Sequence, residues 1–143
     1  MRAAGTHRFF DHTGDFGADL CAPDRAALYE ASAHALVALL TDARDRIEAR
    51  ETRAIEVEGV DPEDLLVALG NEVLFLFETE GWLPSRLEVE SVDDERLVAL
   101  AHGEPYDPER HPIARPIKAV THHGAAVEEG ADGTWTGRLI FDL

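Results

Sequence analysis

Hydrophobic and polar positions along the chain change period several times, and each change marks an element. Arg8 to Cys21 reads as extended chain folded back at His12-Thr13-Gly14-Asp15, where glycine permits backbone angles other residues avoid. From Pro23-Asp24 the period becomes helical. Leu28, Ala31, Ala35 and Leu39 recur on one face, joined by Leu36 and Leu40, while Glu30 and His34 fall on others. Asp24 is the expected N-cap, and the helix should end near Thr41-Asp42. Arg53 to Glu58 alternates as a half-buried strand with Ile55 and Val57 facing in. Asp61-Pro62-Glu63-Asp64 then opens a second helix, with a cap, a proline in the first turn and acids on the positive end of the dipole. Its buried stripe is Leu65, Leu69, Val73 and Leu76, widened by Leu66, Leu74 and Phe77, and Gly81 is its expected stop. Gly70 sits mid-helix at a cost of about 1 kcal/mol relative to Ala, which a close helix–sheet contact would explain.

The remainder alternates. Arg86–Val92 and Leu97–Gly103 flank a polar turn at Asp93-Asp94-Glu95. Tyr106–His111 is a loop, Ile113–Val120 and Ala125–Glu128 are extended, and Asp132-Gly133 turns into a last strand, Thr134–Leu143. Strand, helix, strand, helix and then consecutive strands predict an α+β fold: two helices packed on one face of a mixed, largely antiparallel β-sheet. Too few crossover helices are present for a doubly wound sheet. A length of 143 residues predicts a single domain, 1–143.

Composition narrows the function classes. Net charge is −16, so broad, direct contact with a phosphate backbone is disfavoured; a basic protein partner or bound cations fit better. No segment is apolar for long enough to span a bilayer or to serve as a signal-peptide core, and Cys21 is the single cysteine, so the expected setting is a reducing cytoplasm without membrane association. Cys21, next to apolar strand residues, is expected to be a small buried side chain. The acid excess, almost without lysine, also resembles the surfaces of proteins from salt-loving organisms. Screening of self-repulsion should then raise the melting temperature between low and molar KCl, and an unchanged melting temperature would contradict this reading.

Three features carry candidate chemistry. Asp11-His12-Thr13-Gly14-Asp15 offers oxygen donors for a hard cation, or is a solvated acidic turn in which His12 orients the carboxylates. The ending Ile140-Phe141-Asp142-Leu143 places the Asp142 carboxylate beside the terminal carboxylate of Leu143 on an apolar strand. If the first and last strands are neighbours, Asp15, Asp142 and that terminus converge and repel unless a cation sits among them. Lys118 is the only lysine beside twelve arginines. A compact ammonium fits a tight site around a phosphate or carboxylate that a guanidinium does not; the alternatives are a solvated strand lysine or an ion pair with Glu104 or Asp107. His122-His123 is unsuited to zinc, because neighbours on a strand point to opposite faces. No glycine-rich phosphate loop and no nucleophile elbow is present.

Taken in order, Phe10-Asp11-His12-Thr13-Gly14-Asp15, the Ala31/Ala35/Leu36 helix ending at Thr41-Asp42, Leu65-Leu66 with Asn71-Glu72 and Leu74, Gly103-Glu104-Pro105-Tyr106-Asp107 with Arg110-His111, Ile117-Lys118-Ala119-Val120-Thr121-His122-His123 and the final Ile140-Phe141-Asp142-Leu143 resemble the archease family along essentially the whole chain. The resemblance implies an accessory protein of the RtcB-type RNA-splicing ligase in tRNA splicing, one that promotes guanylylation of the ligase and its multiple turnover and has no catalytic activity of its own. It implies tRNA contact only through the ligase. It also implies a divalent cation, calcium or alternatively magnesium or manganese, held by Asp15, Asp142 and Leu143 through its terminal carboxylate, with Lys118 on a position the family holds as Lys. Gly14 stands where the family usually has Ala, His122 where it has Tyr, and Leu69-Gly70 where Trp-Leu is more common. Two readings compete: a stand-alone metal-dependent phosphohydrolase, and a chaperone-like module with broader partners.

Overall fold

The computed structural model describes residues 3–12 and 15–143, and of His12 the backbone only. Its elements are β1 (Thr6–His12), β2 (Asp15–Ala22), α1 (Arg25–Leu40), β3 (Glu51–Glu58), α2 (Pro62–Glu80), β4 (Trp82–Val92), β5 (Arg96–Pro105), β6 (Ala119–Glu129) and β7 (Trp135–Asp142). The fold is α+β. The strands divide between two antiparallel sheets, β1-β2-β7-β6 and β3-β5-β4. One apolar cluster joins the helices to both sheets, with Leu28, Leu36, Leu65, Leu69, Leu97 and Phe141 fully buried within it.

Local chemistry sets the helix ends. Asp24 is extended and accepts the Ala27 N–H at 2.8 Å; Asp61 does the same for Asp64 at 2.7 Å, ahead of Pro62. Gly81 ends α2 with φ +59°, a left-handed conformation glycine adopts without a Cβ penalty. Gly70 has the close contact its position called for, since a Cβ there would lie 2.8 Å from Val120 Cγ2, so glycine lets α2 lie directly on β6.

Three expectations change. Residues 113–118 do not form a strand; only Ile113 bridges, to Thr41. This segment closes the C-terminus of α1 instead. The N–H groups of Ala114 and Arg115 donate to Leu40 O at 2.8 and 3.3 Å, Arg115 Nη1 donates to Leu39 O at 2.9 Å, and Thr41 Oγ1 donates to Pro112 O at 2.9 Å. Carbonyls that a helix end leaves without intrahelical partners are satisfied this way. Cys21 is exposed, because Ala18, Leu20 and Ala22 take the inward positions of β2 and the alternation turns Cys21 out. Glu30 and His34, expected merely to lie off the apolar stripe of α1, serve β4. His34 Nε2 accepts the Leu87 N–H at 3.1 Å and Glu30 Oε2 accepts the Val89 N–H at 2.9 Å, so two side chains one helical turn apart occupy the outer edge of that sheet.

Candidate functional site

The four-stranded sheet brings the candidate residues to one of its ends. Antiparallel pairing places His12 opposite Asp15 and Phe16 opposite Phe141, so the next step along the β2–β7 ladder sets Asp15 beside Asp142. On the other side of β7, Ala119 pairs with Asp142, and the Lys118 N–H donates to Asp142 O at 2.7 Å. Asp11 is opposite Phe16, one step in from the same end. Residues more than a hundred positions apart therefore share one tip. Thr13 and Gly14, between the first two strands, lie outside the described residues.

The tip is anchored from below. Leu139, Ile140 and Phe141 are buried, so the last strand is held by its side chains up to the residue before Asp142, which is exposed. Lys118 sits between two buried neighbours, Ile117 and Val120, and is itself exposed. Asn71 of α2 fixes the second of these: its Nδ2 donates to Val120 O at 3.0 Å and its Oδ1 accepts the Val120 N–H at 2.9 Å. β6 is an edge strand, and this amide satisfies an outward N–H and C=O as a further strand would. One residue along, Gly70 admits Val120 against the helix. Adjacent residues of α2 thus set the backbone that presents Lys118.

Lys118 pairs with neither Glu104 nor Asp107. Glu104 is buried and committed elsewhere: Oε1 accepts from Arg110 Nη1 at 2.8 Å, and Oε2 accepts the Glu48 N–H at 2.9 Å and lies 2.9 Å from His111 Nε2. His111 Nδ1 accepts the Asp107 N–H at 3.0 Å, which leaves the ring proton on Nε2, facing Glu104. Burial alone would push the Glu104 carboxyl up, but the hydrogen bonds from Arg110, the Glu48 N–H and His111 outweigh it and hold the value at about 2. The Gly103–His111 stretch is therefore a structural lock that ties the end of β5 to the segment before β3. His122, the other polar feature of β6, lies with Nε2 2.6 Å from Asp64 Oδ1 near the start of α2.

As a cation site, the tip offers two side-chain carboxylates, Asp15 and Asp142. Among the described residues no three His, Cys, Asp or Glu side chains gather into a metal-binding group. An oxygen donor set of this kind suits a hard ion that keeps water in its shell. The groove lined by Arg8, Asp19, Cys21 and Arg138 lies elsewhere, on the four-stranded sheet.

Residues 7–143 match the sequence model of the Archease protein family (MTH1598/TM1083). The chain belongs to the archease family. Among its relatives are the archeases of Methanopyrus kandleri, 38% identical over 136 residues, covering 93% of this chain and 96% of that one, and of Pyrococcus abyssi, 34% identical over 137 residues, covering 94% and 96%. Among solved structures, the Methanobacterium thermoautotrophicum protein 1598 aligns with a TM-score of 0.76 at 30% identity, covering 96% of this chain and 98% of that one. An archease from Thermotoga maritima, described as a possible chaperone, shares the fold with a TM-score of 0.62 at 20% identity, covering 100% and 98%. Among the described residues no helix of this archease is long and apolar enough to cross a membrane.

Proposed function

We propose that this archease is an accessory protein of an RtcB-type RNA-splicing ligase. It acts in the cytoplasm without catalysing a reaction itself, promotes guanylylation of the ligase and its multiple turnover, and meets tRNA only through that enzyme. The observation that carries this reading is the register that sets Asp15 beside Asp142, with Lys118 bonded through its N–H to the same residue. Such a tip can enter a partner's active site as a unit. Net charge supports the reading, since a chain at −16 affects RNA chemistry more readily through a basic enzyme than by holding RNA.

Asp15, Asp142 and the Leu143 terminus would hold a divalent cation, calcium or alternatively magnesium or manganese. When bound, it neutralises carboxylates that repel one another and presents a positive centre to phosphate oxygens. The chain's own residues do the rest. Buried Phe141 and Ile140 keep the carboxylates at a fixed height. The Ile117 and Val120 anchors, with Asn71 holding the second, present the Lys118 ammonium for a phosphate or for an acidic side chain of the ligase.

Multiple-turnover joining of RNA ends at limiting ligase, with GTP and divalent metal, tests the proposal. The wild type should stimulate. Asp15→Asn and Asp142→Asn should each return the rate to that of ligase alone while melting as the wild type does, because both side chains lie at the sheet's end outside the core. Full stimulation by both variants would refute the role of the tip. Turnover of nucleotide or cyclic-phosphate RNA without ligase would favour the phosphohydrolase reading, and capture of many unrelated proteins would favour the chaperone-like one.

A further inference from the structure

Among the described residues, the large apolar side chains that stand out in solvent are Val60, Phe75 and Leu143. Val60 lies before α2, near the Asp64–His122 contact; Phe75 is 50% exposed and Leu143 40% exposed. Phe75 is placed by two fixed contacts between α2 and β6. Asp64 meets His122 and Asn71 meets Val120, so the helix ascends while the strand number falls, and the two run antiparallel. One turn past Asn71, about 6 Å along the helix, comes Phe75 on the same face. Two residues before Val120, about 7 Å along the backbone that leads into β6, comes Lys118, just ahead of the strand. Phe75 and Lys118 therefore stand at the same level along α2 and the chain entering β6, and it is Lys118 that meets the last strand, through its N–H on Asp142 O.

A lone exposed apolar residue needs no explanation. Here the core-facing positions of α2 are already filled by Leu65, Leu69, Val73, Leu74 and Leu76, and Phe75 adds nothing to that stripe. Its company is what distinguishes it: it stands level with the only lysine, at the sheet end that also carries Asp11, Asp15, Asp142 and Leu143.

We propose that Phe75 and Leu143, flanked by Lys118, form the docking contact by which the tip seats on the basic surface around the RNA-binding cleft of its ligase; this rests on the functional reading above. Charge selects that occupant. A second copy would bring acidic tips of two −16 chains together, whereas an enzyme that joins RNA must line its cleft with cations. The apolar pair supplies contact that salt does not screen, and the surrounding acids supply steering and orientation.

The test titrates wild type, Phe75→Ser and Asp142→Asn against a fixed amount of ligase and reads the half-maximal concentration and the plateau of stimulation separately. Phe75→Ser should raise the half-maximal concentration about tenfold or more at an unchanged plateau and an unchanged melting temperature, as truncation of an aromatic anchor does. Asp142→Asn should lose the plateau. Added KCl should raise the half-maximal concentration of the wild type. An unchanged half-maximal concentration for Phe75→Ser, with the wild type stimulating, overturns the docking assignment and leaves the functional reading standing. A lowered plateau alone overturns it too, because Phe75 would then act after binding. Wild-type dimers in sedimentation that Phe75→Ser abolishes would assign the patch to a second copy and overturn it. No stimulation by the wild type overturns both.

Discussion

Glu104→Ala will cost this protein about 3–5 kcal/mol, the range for removing one partner of a buried, hydrogen-bonded charge pair. Three donors lose their acceptor at once: Arg110 Nη1, His111 Nε2 and the Glu48 N–H. His111 is wholly buried and cannot turn to water, and Arg50 Nε, 3.5 Å from the same carboxylate, loses an ion-pair partner as well. For a chain of this size the melting temperature should fall by roughly 10–15 °C. Arg110→Ala should cost less, because the arginine is partly exposed and Glu104 keeps His111 and the Glu48 N–H. Thermal or urea unfolding of the two variants checks the order; equal small losses would show that the lock contributes little.

Acid will destabilise the fold well before its exposed carboxylates protonate, and His34 is the principal cause. Burial against β4, then the nearby Arg44, His7 and Arg86, push its imidazole down from 6.5 to about 4. Between those values the unfolded chain binds a proton that the folded chain refuses, so stability rises with pH there. The contribution is complete above pH 6.5 and is lost as pH falls towards 4, to the extent of about 3 kcal/mol. His7, lowered by burial and by Arg44, adds in the same direction. Glu104 continues the trend: depressed from 4.5 to about 2, it contributes fully above 4.5 and ceases to as pH falls through 2. The physical event at His34 is specific, since a protonated ring can no longer accept the Leu87 N–H. His34→Gln, whose amide oxygen can accept that N–H, should flatten most of the dependence between pH 6.5 and 4. Urea midpoints across this range measure it; a variant as acid-sensitive as the wild type would exclude His34.

What the sequence disclosed follows from how local each determinant is. The start of α2 at Asp61-Pro62, its stop at Gly81 and the inward faces of Ile55 and Val57 are written within a few residues. Gly70 was legible as a close approach because glycine mid-helix carries a cost that only packing offsets. The partners of Glu104, His34 and residues 112–117 were not legible, because each answers a need created in another element: orphan carbonyls at the end of α1, open N–H groups on β4, a carboxylate enclosed by the chain before β3. A signal existed for one of them. Glu30 and His34 are polar residues one turn apart on a helix otherwise almost wholly apolar, and such a pair on a buried helix has to satisfy something. Cys21 followed from alternation once the inward register was set by Ala18, Leu20 and Ala22. At the tip, candidate residues were legible from both ends of the chain, but their adjacency depends on β2 pairing with β7, a contact across more than a hundred residues. Asn71 was visible as part of a familiar segment, and its hold on Val120 emerges only in three dimensions.

The most direct measurement is the rate at which an RtcB-type ligase takes up guanylate from labelled GTP, in a single turnover, with equimolar wild type, with Asp142→Asn and without either. The account predicts that the wild type accelerates uptake and that Asp142→Asn leaves it at the rate of ligase alone although the variant is folded. Acceleration by Asp142→Asn equal to that of the wild type would contradict it, and would place the activating surface somewhere other than the tip shared by Asp15, Lys118 and Asp142.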